Sequence, residues 1–180
     1  MEPRGMCSFN LVTEPWIPVL YESGEVREVS LATLFEDVAV IRELSGDIPQ
    51  QVLVLLRLLL AIVLRAFVRT WRLTYGDDIP SEDDLKGGWS DLWLARSFDV
   101  LDISGYLAEF ADRFDLFGPH PFYQVPGIEY LSKDREYDPA ASLIADNPKP
   151  EKYLFSTRAK NARPWLSCAE AARWLLFAQS

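Results

Sequence analysis

Between Pro49 and Trp71 runs the segment that most restricts the fold: Val52, Leu53, Val54, Leu55, Leu56, Leu58, Leu59 and Leu60 crowd its first half with apolar side chains. On a helix these surround most of the circumference, so a helix near Pro49 to Trp71 has to be covered on several sides. The most apolar part, Val52 to Phe67, is interrupted by Arg57 and Arg65. It falls short of the roughly 18 to 20 residues of a membrane span and reads as a core helix, with no membrane expected. Arg65, Arg69 and Arg72 recur at i, i+4 and i+7, which puts them on one face. That stripe can meet phosphate or a subunit; a solvated face paired with nearby acids is the preferred reading.

Around this helix the signals are short. Trp16-Ile17-Pro18-Val19 is extended, and its prolines restrict it to a sheet edge or a strand start. Gly24 supplies a turn before Val26 to Val29, so strands are expected near Trp16 to Tyr21 and Val26 to Val29. Ser30 can cap a short helix, whereas Ile41 to Leu44 is too short to type. Ser81 with Asp84, and Ser167 with Glu170, have capping-box spacing. Leu101, Tyr106, Leu107, Phe110, Ala111 and Phe114 predict an amphipathic helix over Asp99 to Phe114, and a last helix is expected over Cys168 to Gln179. The fold class is mixed α/β, an irregular domain with short strands and several helices.

Composition narrows the function classes. With 49% hydrophobic and 25% charged residues the chain should fold. Cys7 and Cys168 lie far apart without CxxC spacing, so neither a disulfide framework nor a zinc site is signalled. No apolar stretch follows Arg4 within residues 1 to 8, and a reducing, cytoplasmic setting without a secretory signal is expected. Glu82, Asp83 and Asp84 suit a helix N-terminus, and neither they nor Asp77 and Asp78 require a metal. His120, the only histidine, lies between Pro119 and Pro121 in extended backbone and is read as a loop anchor hydrogen-bonded to backbone. A general base needs an identifiable nucleophile, and Cys168 and the serines sit in no such context. Without a phosphate-binding glycine loop, metal cluster or triad signature, no enzyme, cofactor or metal is expected.

Charge is unevenly spread. Residues 1 to 148 hold 12 Lys and Arg against 25 Asp and Glu, a net of −13, whereas Lys149 to Arg163 carries a net of +4. A basic loop on an acidic body suits phosphate contact by one segment, although charge alone favours a solvated loop.

The opening block, Phe9 to Val19 followed by Glu22-Ser-Gly-Glu25, resembles the start of the CasA family, the large subunit of the type I-E CRISPR surveillance complex Cascade. Two further elements support it. His120, Pro121, Phe122 and Gln124 form a His-Pro-Phe-x-Gln element recurrent in that family, and the helix with Ala171, Ala172, Trp174, Leu175 and Phe177 resembles the one following its first nucleic-acid-facing loop. The resemblance implies a noncatalytic subunit that contributes to recognition of foreign double-stranded DNA through a protospacer-adjacent motif, and to recruitment of the degrading helicase-nuclease. Implied partners are guide RNA, the other Cascade subunits, target DNA and that helicase-nuclease. Aligned by Leu176-Phe177-x-Gln179, the family's contact residues fall on Phe155, Ser156 and Thr157. Phe155 can stack on a base or bury beneath the loop. Ser156 and Thr157 can bond phosphate, and Lys152, Arg158, Lys160 and Arg163 can neutralise it. The alternative is a protein–protein docking module without nucleic-acid contact.

Family members continue far beyond this length, so residues 1 to 180 are expected to be the N-terminal part of the large-subunit α/β domain, with the family's C-terminal helical bundle absent. Trp174, Leu175 and Phe177 are then expected to be left bare and to drive self-association.

Overall fold

The computed structural model describes residues 8–127, 143–144 and 165–179. Among them a three-stranded antiparallel sheet, β1 (Ile17–Tyr21), β2 (Val26–Val29) and β3 (Ile41–Leu44), has the order β2-β1-β3. Five helices join it: α1 (Leu31–Glu36), α2 (Pro49–Tyr75), α3 (Glu82–Ala95), α4 (Ile103–Glu109) and α5 (Cys168–Ala178). The mixed α/β expectation holds.

Local chemistry explains the first elements. Gly24 has φ +87°, a left-handed conformation that lets the chain reverse so that Ile17 faces Val29 across the β1–β2 pair. Alternation along β1 buries Ile17, Val19 and Tyr21. Of the two places expected for the proline, a sheet edge or a strand start, the structure takes the second: β1 is the central strand and Pro18 lies at its beginning. Pro18 is tolerated because it is only the second residue of the strand, and its carbonyl is taken by the Ser45 N–H at 2.8 Å. Ser30 caps α1 by accepting from the Thr33 N–H. Ile41 to Leu44, too short to type from sequence, becomes a strand because β1 offers it a partner.

The long helix runs four residues past Trp71. Val54, Leu55, Leu59, Ile62, Val63 and Ala66 form its buried stripe against the cluster that holds Leu11, Trp16, Ile17, Val19 and Leu31. Cover on several sides is not what the described residues show, since Leu53, Leu56, Leu60, Leu64 and Val68 on the same helix are exposed. By length and composition alone α2 is long and apolar enough to cross a membrane, but its buried stripe belongs to the same core as the sheet.

The helix expected over Asp99 to Phe114 is shorter. It is α4 followed by a 3-10 turn over Ala111–Phe114. Asp102 sets the start: its carboxylate accepts from the Gly105 N–H at 3.0 Å and occupies the place of a Cβ there, so a side chain at 105 would have to displace the capping carboxylate. Both capping boxes form as their spacing predicts, at Ser81–Asp84 and at Ser167–Glu170.

The segment from Phe9 to Val12 closes the core by pairing with residues 114–116, through Leu11 N–H to Phe114 O at 2.9 Å and Leu116 N–H to Phe9 O at 3.1 Å. The His-Pro-Phe-x-Gln element is architectural, but His120 is not its anchor. His120 is exposed, whereas Phe122 is buried against Phe114 and Trp16, and the Gln124 amide donates to Leu116 O at 3.0 Å. The expected bare face on α5 is also corrected: Trp174 is buried, edge-on to Phe177 with ring centroids 5.7 Å apart. Large exposed apolar side chains lie elsewhere, among them Leu53 and Leu73 on α2, Trp93 at 84% and Leu94 at 80% on α3, and Ile79 between the two helices.

Three carboxyls make stability depend on acid. Asp84 is held below the usual carboxylate range by hydrogen bonds from Ser81, and Asp102 by Arg69. Burial would push Asp115 up, but hydrogen bonds from Ser8, Phe117 and Phe9 together hold it low. Their folded values lie below the unfolded value of about 3.9, so the unfolded chain binds more protons in acid. Stability is therefore flat above about pH 5 and declines as pH falls through 4 and below. Urea midpoints measured from pH 7 to pH 3 test this, and a midpoint that rises on acidification contradicts it.

Candidate nucleic-acid interface

The residues that the sequence nominates for nucleic-acid contact, Lys152, Phe155, Ser156, Thr157, Arg158, Lys160 and Arg163, all lie outside the described residues. What the structure gives is the anchorage on their C-terminal side. Trp165 is 62% exposed, and two residues on Ser167 accepts from the Glu170 N–H while the Glu170 carboxylate takes the Ser167 N–H at 2.9 Å. α5 then starts at a fixed point.

Its position on the body is set by Arg173, only 4% exposed. Nε and Nη2 reach the two Asp47 oxygens at 3.0 and 2.9 Å, and Nη1 donates to Glu28 at 2.7 Å and to the Trp16 carbonyl at 2.6 Å. One planar fork thus ties α5 to the loop before α2, to β2 and to the entry of β1. Burial works against the charged guanidinium, but the Asp47 and Glu28 hydrogen bonds prevail and raise its pKa. Gln51, 1% exposed, supports the same loop by accepting the Asp47 N–H at 2.8 Å. This cluster was missed in the sequence. Its one signal is a lone arginine inside the apolar run Ala171 to Phe177.

The α2 arginine stripe divides. Arg69 lies between two carboxylates, with Nε 2.7 Å from Asp102 and Nη1 bonded to Glu109, which ties α2 to α4. Those bonds raise the Arg69 pKa, Asp102 contributing most. Arg65 and Arg72 are exposed and have no ion-pair partner among the described residues. The three line a cleft of about 350 Å³ with Tyr106, Glu109 and Phe110 on its other wall, the Glu109 carboxylate being the one bonded to Arg69. Pairing with nearby acids therefore describes Arg69 alone.

An apolar groove of about 500 Å³ runs between α1, β3 and α2, lined by Phe35, Ile41, Leu56, Leu60, Trp89 and Phe98. Among the described residues no group of three or more His, Cys, Asp and Glu side chains is arranged to hold a metal.

Comparison with known proteins bears on this arrangement. The family model of the CRISPR-associated protein Cse1 matches residues 10–180. A CRISPR-associated protein CasA/Cse1 from Thermus thermophilus is 34% identical over 185 residues, covering 96% of this chain and 31% of its own length. The crystal structure of Thermobifida fusca Cse1 superposes with a TM-score of 0.73 at 37% identity, over 95% of this chain and 29% of that one. A chain of a CRISPR RNA-guided surveillance complex in a pre-nicking state superposes with a TM-score of 0.60 over 94% of this chain and 33% of that one; at 20% identity it speaks for the fold alone. This chain thus spans about a third or less of the length of the relatives it matches.

Proposed function

Because this chain belongs to the CRISPR-associated Cse1 family, we propose that it serves as a noncatalytic part of an RNA-guided DNA surveillance complex in the cytoplasm. In this reading it helps recognise foreign double-stranded DNA beside a protospacer-adjacent motif and helps recruit the helicase-nuclease that degrades it. Guide RNA and the other Cascade subunits are its partners. The observation that carries the reading is the family match across residues 10–180, which takes in the whole basic stretch Lys149 to Arg163. The physical support is the reversal of charge there on a chain of net −9, next to a helix locked in place by Arg173. Phe155 supplies a ring for stacking, Ser156 and Thr157 supply hydroxyls, and Lys152, Arg158, Lys160 and Arg163 supply cations.

The test is assembly with guide RNA and binding of target duplex. Phe155→Ala is expected to weaken binding by about 1 to 3 kcal/mol through lost stacking, at any salt concentration. Lys160→Ala and Arg163→Ala are expected to cost less, with a loss that shrinks as salt rises. If all three leave assembly and target binding unchanged in a folded protein, the loop is not the contact. One observation favours a second reading, docking on a neighbouring protein: the exposed groove beside α2 is apolar. Affinity insensitive to salt would favour it.

A further inference from the structure

We propose that the cleft between α2 and α4 is a second phosphodiester-binding site, which takes the backbone of a single strand on Arg65 and Arg72 and a base on Tyr106 and Phe110. The proposal rests on the reading of this chain as part of a nucleic-acid-binding assembly, and it adds a site remote in sequence from Lys149 to Arg163. Three observations lead to it.

The first is the state of the arginines. In a chain with 27 Asp and Glu against 18 Lys and Arg, carboxylates are plentiful. Arg69 has two of them, yet Arg65 and Arg72 on the same face have none among the described residues. Arg69 is a strut between helices whose charge two carboxylates more than cancel; the flanking pair outweighs their excess and is the positive charge left in the cleft among the described residues. The second is spacing. Seven residues of helix separate Arg65 from Arg72 by about 10.5 Å, within reach of two phosphates one nucleotide apart from adjacency on an extended strand.

The third is the wall facing them. The Tyr106 and Phe110 rings lie 5.0 Å apart, tilted by 44°, and both are half-buried, so an aromatic ledge with two differently angled faces stands beside two planar forks. Guanidinium beside aromatic ledge is the pairing that suits a nucleotide, whose phosphate and base need different surfaces. An acidic peptide would use the arginines and leave the ledge bare.

The experiment is filter binding of the 180-residue chain to a 20-nucleotide oligodeoxythymidine across a salt series, with both Arg65→Ala/Arg72→Ala and Arg65→Gln/Arg72→Gln. Each lost phosphate contact lowers the log–log salt slope by about 0.7 for a single strand, so a drop of about 1.4 is expected. Melting followed by circular dichroism should not change, because both side chains are exposed; the glutamine pair keeps the test valid should the alanine pair unfold. A wild-type chain without salt-dependent binding, or variants that keep its slope, overturns the site. So does polyglutamate that competes as well as the oligonucleotide at equal charge. Lys160→Ala/Arg163→Ala runs in parallel. If it keeps the wild-type slope while the cleft variants lose theirs, the loop assignment fails and the cleft stands; the reverse result removes the cleft and leaves the loop.

Discussion

Replacing Arg173 with Met is expected to lower stability by about 3 kcal/mol, at the low end of what removing one partner from a buried ion cluster costs. The substitution keeps the length and apolar stem but removes the fork that joins Asp47, Glu28 and the Trp16 carbonyl. Asp47 and Glu28 side chains are 27% and 42% exposed, so water can partly take over from the arginine. That is why the cost stays at the low end. The Trp16 carbonyl loses its charged donor in a buried place, and that loss has no such relief. Urea unfolding checks the value. A loss below about 1 kcal/mol would mean that apolar packing of Ala169, Ala172 and Leu176, not the ion cluster, holds α5.

Trp16→Ala is expected to cost as much or more, about 3 to 5 kcal/mol. Trp16 has no exposed surface, its indole N–H donates to the Leu11 carbonyl at 3.0 Å, and its ring meets Phe122 edge-on at 6.4 Å. Truncation leaves a cavity where β1, the Phe9–Val12 segment and the Phe122 loop converge, and removes one of two hydrogen bonds to the Leu11 carbonyl, which still accepts from the Leu31 N–H at 3.1 Å. Trp16→Phe separates the two contributions, because it refills most of the volume without restoring the N–H. Thermal melting of both variants decides: equal losses would assign the effect to the hydrogen bond, and a much smaller loss for Phe would assign it to volume.

These two side chains also mark how far the amino-acid pattern reached. The capping boxes at Ser81 and Ser167, the Ser30 cap and the Gly24 turn were readable because each depends on residues within a few positions of one another. The same holds for the presence of α2, written in its own apolar density. Its bare side was not readable: periodicity tells which residues are apolar, and only the other elements tell which of them find cover. The helix expected over Asp99 to Phe114 was too long because apolar spacing continues through Phe114, while Asp102 starts the helix from a position fixed by Arg69, 33 residues away.

The candidate loop was nominated by charge reversal and by resemblance, and its residues stay where sequence left them. Its anchorage came from packing. Arg173 and Asp47 are 126 residues apart, and Arg173 and Glu28 are 145 apart. No local pattern relates partners at such distances, since a charged hydrogen bond depends on position in space and carries no periodicity along the chain. Local rules therefore settled the turns, caps and most helices, but not β3, which needed β1 beside it, nor the length of α4. Folding alone brought Arg173 to Asp47 and Glu28, paired Arg69 while leaving Arg65 and Arg72 without an ion pair among the described residues, and made β1 the middle strand, because each of these needs groups that meet only once the chain has closed on its core.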